Sequence, residues 1–101
     1  MDYFQSGGVK LAFRVDGAGD PIVLVHGFAS THAVNWIEPG WADALVNAGR
    51  QVVMFDLRGH GGSDDLYDAL DYDRGLMAAD ILALLDHLRI AQADIMGYSL
   101  G

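Results

Sequence analysis

The sequence predicts an α/β fold, a sheet of mostly parallel strands with helices on both faces. Ile22-Val23-Leu24-Val25 and Gln51-Val52-Val53-Met54-Phe55 are apolar runs with no polar alternation, the pattern of strands buried on both sides. A helical repeat separates the second run from a third, shorter one, Ala93-Asp94-Ile95-Met96. Each run opens into a glycine-bearing segment: His26-Gly27-Phe28, then Asp56-Leu57-Arg58-Gly59-His60-Gly61-Gly62-Ser63, then Gly97-Tyr98-Ser99-Leu100-Gly101. Right-handed crossovers place the carboxyl ends of such strands, and therefore these three segments, along one edge of the sheet.

Before the first central run, Val9 to Val15 alternates apolar and polar, the period of a strand with one buried face. Tyr3 to Gln5 is expected to pair with it as a short first strand, and Asp16-Gly17-Ala18-Gly19-Asp20 ends it with turn residues. After Phe28, residues 29–40 read as a loop that contains His32, Asn35 and Trp36. Trp41, Leu45 and Ala48 then fall on one helical face, and Asn47-Ala48-Gly49 supplies a stop. From Tyr72 the period becomes helical again. Met77, Ile81, Leu84, Leu85 and Leu88 form one apolar face, which Ile90-Ala91-Gln92 terminates.

The composition narrows the function classes. Fourteen acidic against six basic side chains give a net charge of −8, which disfavours a nucleic-acid partner. With no cysteine there is no disulfide framework and no thiolate metal site. The start, Met1 to Gly8, lacks a basic region followed by an apolar one, and no stretch is long enough to span a bilayer. A soluble cytoplasmic protein, without membrane association, is the expectation. The segment 59–64 lacks the last glycine of a dinucleotide fingerprint and has no lysine, and Asp64-Asp65 would repel phosphate, so a nucleotide cofactor is rejected. Asp56, Asp64 and Asp65 have no His or Glu partner at ligand spacing, which leaves loop capping and a solvated surface rather than a metal site.

The final pentapeptide bears the chemistry. G-x-S-x-G after a strand is a nucleophile elbow, a turn tight enough to require small flanking residues and to leave the serine hydroxyl exposed. Ser99 is the candidate nucleophile, expected at positive φ. A chain that stops at Gly101 has no helix to continue into, so residues 1–101 are read as the amino-terminal part of a single larger domain. Expressed alone, the chain is expected neither to fold well nor to catalyse.

The three glycine-bearing motifs, in this order, resemble the α/β-hydrolase fold superfamily, serine-nucleophile branch, over essentially the whole chain. The resemblance implies acyl transfer: Ser99 attacks a carbonyl carbon of a small-molecule, ester-like substrate, while the backbone N–H groups of Phe28 and Leu100 form the oxyanion hole. It further implies that the acid and the histidine follow the nucleophile, beyond residue 101, and that no cofactor or metal takes part. Serine at position 99 argues against the dehalogenase and epoxide-hydrolase branches, which resemble this scaffold but use a carboxylate. A non-catalytic ligand-binding or receptor protein on the same fold, or an inactive truncated product, is the alternative.

Chain order makes His60 a structural residue that fixes its loop with Asp56 and Arg58, not the base. His26 is expected to brace the oxyanion loop by hydrogen bonding. His32 faces either the pocket or solvent, and His87 is solvated. Tyr98 packs under the elbow or lines the acyl pocket, and Trp36 and Trp41 are expected in the core.

Overall fold

A computed structural model describes residues 2–26, 31–57 and 74–97, with the backbone alone for 74–77. Five strands, β1 (Asp2–Ser6), β2 (Val9–Asp16), β3 (Asp20–Val25), β4 (Arg50–Phe55) and β5 (Asp94–Gly97), form one sheet in the order β1-β2-β4-β3-β5. The β1–β2 and β2–β4 pairs are antiparallel, and the β3–β4 and β3–β5 pairs are parallel. Thus the sheet is mixed, with its parallel part formed by the strands that lead into the three motifs. Each expected strand is present, the first of them five residues long and joined to β2 by Gly7-Gly8, both at positive φ. That is the backbone a two-residue hairpin needs.

Side chains of the two central strands alternate between two cores. Val23, Val25, Val53 and Phe55 join Phe4, Leu11, Phe13, Leu57 and Leu84 on one face, while Ile22, Leu24, Val52 and Met54 join Trp36 and Ala42 on the other. This is why the runs show no polar alternation: both faces are covered, and successive side chains point to opposite ones. Helix α1 (Trp41–Asn47) covers the second face and helix α2 (Arg74–His87) the first, so helices flank the sheet on both sides.

Several local expectations need correction. The segment after Phe28 is not all loop, because Ala33–Ile37 forms a π-helical turn closed by the Glu38 N–H donating to the Ala33 carbonyl at 2.9 Å. It buries Trp36 to 1% exposure, as expected of a core residue, although the indole Nε1–H finds no acceptor among the described residues. In α1 the buried residue is Ala42, with Leu45 and Val46 packed beside it, and Trp41 stays half exposed. Ala42 shares its core with the larger Trp36.

In α2, Leu84 is fully buried, Ile81, Leu85 and Leu88 pack around it, and Leu82 lies outside the face. The sequence gives no hint that Asp80 is also fully buried, accepting a hydrogen bond from the Ser6 hydroxyl at 2.6 Å across 74 residues. Nor does it show how the helix ends. Arg89 at φ 58°, with Arg89 N–H to Asp86 and Ile90 N–H to Leu85, makes a Schellman termination without glycine, at a cost of about 1 kcal/mol relative to Gly. His87, expected to be solvated, is exposed overall but lays its ring edge-on against Phe13 at 5.4 Å.

Candidate active site

Strand register decides where the motifs begin. Val25 at the end of β3 is level with Phe55 of β4 on one side and with Gly97 of β5 on the other. With about 4.8 Å between neighbouring strands, the three segments leave the sheet within about 10 Å of one another. The carboxyl edge of a parallel sheet is where such folds hold their ligands, because the loops there are free to vary while the strands are not. Ser99 lies two residues beyond Gly97, and Phe28 two beyond His26.

The described residues at this edge form a buried polar cluster. His26 is fully buried, and its Nε2 accepts the main-chain N–H of Leu57 at 2.9 Å. An imidazole nitrogen that accepts bears no proton, so the neutral ring carries its hydrogen on Nδ1. Its Nε2 is therefore committed to the backbone and is not the nitrogen that could take a serine proton. The bond ties the end of β3 to the chain after β4; the oxyanion loop that His26 is expected to brace lies outside the described residues.

His32 is turned away from solvent. It is 7% exposed, and both its main-chain N–H, at 2.9 Å, and its Nδ1, at 2.8 Å, approach the same Oδ1 of Asp56, itself 2% exposed. An ionised carboxylate only accepts, so Nδ1 carries the hydrogen. The Asp56 main chain is fixed in turn, its N–H donating to the Ala12 carbonyl at 2.9 Å. Asp56 was expected to work with Arg58 and His60; the described partner is His32, which precedes it by 24 residues. No sequence signal pairs the two, because they belong to non-consecutive loops that the β3–β4 register brings together.

Ser99, Leu100, Phe28, Tyr98, Arg58, His60, Asp64 and Asp65 lie outside the described residues, as does the expected positive φ at Ser99. Among the described residues no group of three or more acidic or histidine side chains could hold a metal ion, and no helix is long and apolar enough to cross a membrane. One concavity, lined by Asp20, Pro21, Leu85, Gln92 and Asp94 among others, opens at the amino end of the sheet. It is at the wrong edge for the motifs and contains no nucleophile.

A family model for the alpha/beta hydrolase fold matches residues 20–101, and the chain belongs to that family. The dihydrolipoyllysine-residue acetyltransferase component of an acetoin cleaving system from Pseudomonas putida is 41% identical over 90 residues, covering 88% of this chain and 23% of that protein. An epoxide hydrolase from Caballeronia sordidicola is 32% identical over 94 residues, covering 93% of this chain and 28% of that protein. Among solved structures, an esterase from Exiguobacterium antarcticum superposes with a TM-score of 0.85 at 27% identity, covering 98% of this chain and 35% of that one. The chain thus spans about a quarter of the length of these two curated relatives.

Proposed function

We propose that residues 1–101 form the amino-terminal part of a single serine hydrolase domain, esterase-like, acting on a small-molecule ester or related carbonyl compound in the cytoplasm. Ser99 Oγ attacks the carbonyl carbon, a histidine beyond residue 101 takes its proton, and the alcohol or phenol leaves with that proton. Water then cleaves the acyl-enzyme and restores the serine. The N–H groups of Phe28 and Leu100 stabilise the oxyanion in both steps.

The observation that supports this reading most is Ser99 within G-x-S-x-G directly after β5, whose last residue is level with the end of β3. The named reactions of the relatives differ, so likeness alone does not select among them. The residue type at the nucleophile position favours acyl transfer over epoxide opening, because a carboxylate would be needed there to form an alkyl-enzyme ester.

In the protein with the remainder of the domain, Ser99→Ala should lower turnover of a short-chain aryl ester by at least about 10³-fold without loss of folded structure. Wild-type protein that binds such esters but shows no turnover dependent on Ser99 would favour a ligand-binding role instead.

A further inference from the structure

The proposed oxyanion donor Phe28 acts through its main chain, so its aim cannot be set by choice of its own side chain. It must be set by whatever fixes the backbone on either side. Two described residues on either side of this segment, His26 and His32, are both fastened to the consecutive residues that follow β4: Leu57 N–H donates to His26 Nε2, and His32 donates twice to Asp56 Oδ1. Six residues could separate their ends by about 20 Å if extended, yet both ends are tied to adjacent residues.

All three side chains, those of His26, His32 and Asp56, are buried. Hydrogen bonds to an ionised group in such a setting are shorter and stronger than neutral ones, and they define a single geometry. From this geometry we propose that His32 is a positioning residue for the oxyanion hole: with His26 it clasps the two ends of the stretch that carries Phe28 to the residues after β4, and the rate of acyl transfer depends on that clasp. The proposal rests on the serine-hydrolase reading above. It gives Asp56 a purpose that loop capping does not, since one carboxylate oxygen receives both the main chain and the ring of His32.

The arrangement has a competitor that the test must separate. A carboxylate on Nδ1 is also how a catalytic histidine is oriented, so His32 could be read as the base itself. His32→Asn keeps an amide N–H near the Nδ1 position but has no basic nitrogen; His32→Gln carries its amide near Nε2 instead, and His32→Ala has neither. In the protein with the remainder of the domain, His32→Ala should lower kcat for a short-chain aryl ester by about 10- to 100-fold, the cost of roughly 1 Å of misplacement, with little change in KM. His32→Asn should recover kcat to within about fivefold of wild type.

Hydrogen exchange of the amides of residues 27–32 should quicken in His32→Ala and slow again in His32→Asn. If His32→Ala does not accumulate folded, His32→Gln replaces it with the same expectation. Wild-type kcat in His32→Ala, or His32→Asn as inactive as Ser99→Ala, would overturn the proposal, the first by making His32 only packing and the second by making it the base. Unchanged exchange in His32→Ala would overturn the clasp whatever the chemistry. Turnover that survives Ser99→Ala would instead count against the hydrolase reading, and exchange would still decide the clasp.

Discussion

At the carboxyl end of the sheet, His26, His32 and Asp56 are buried, and their hydrogen bonds join side chains to the main chain of neighbouring segments. At the amino end, Arg50 reaches across β3 to the carbonyls of Asp20 and Pro21 and forms an ion pair with Asp94 of β5 at 2.8 Å, but the Asp94 side chain is 75% exposed. The same kind of contact, a cation-bearing or N–H-bearing side chain on a carboxylate, does different work at the two ends. In the dry cluster neither partner can turn to water, so the geometry is specified and a missing partner is costly. At the wet end water competes for both groups, and the bridge contributes little.

What replaces side-chain specificity at the amino end is close backbone packing. Gly17 and Gly19, in the turn between β2 and β3, are at φ 76° and 119° and lie against the turn that enters β4. A Cβ at Gly17 would come within 2.7 Å of the Arg50 carbonyl oxygen, and one at Gly19 would collide with the Gly49 carbonyl oxygen. One end is therefore held by steric fit of glycines, the other by buried hydrogen bonds.

The contrast breaks most readily at Asp56. Asp56→Ala leaves the N–H and Nδ1–H of His32 buried without this acceptor, and should cost about 3 kcal/mol or more, read as a fall in the urea midpoint at constant m. A loss below about 1 kcal/mol would mean that water enters the cluster and that the two ends are alike. Gly19→Ala probes the steric end. It should destabilise by about 1–3 kcal/mol through the clash and the positive φ, with aryl-ester kcat preserved in whatever folds.

The smallest effect is expected at the exposed ion pair. Asp94→Asn should change stability by no more than about 0.5 kcal/mol at low salt, and by less in 1 M salt, where screening removes the interaction. A larger, salt-resistant loss would show that Arg50 works as a strap rather than as a solvated side chain.

Much of the fold was legible because its signals are local. Continuous apolar runs such as Ile22 to Val25, the helical period from Ile81 to Leu88 and the stop at Gly49 all reflect how successive side chains of one segment meet their surroundings, and the structure places strands and helices on those residues. Ser99 stands out by a local pattern of the same kind, G-x-S-x-G after an apolar run, whereas Phe28 and Leu100 enter only through the family resemblance; all three lie outside the described residues. The supports of the site were not legible. Trp41 and Ala42 are neighbours in a helix, yet Ala42 joins Trp36 in the second core while Trp41 stays half exposed.

By itself, then, the sequence determined the strands, the two α-helices and their order. The periodicity that encodes an element is carried by residues a few positions apart. Only the tertiary structure decided that His32 meets Asp56 across 24 residues and Ser6 meets Asp80 across 74. Such pairs depend on which strands become neighbours and in what register, and a polar residue carries no mark of its partner until burial removes water as the alternative.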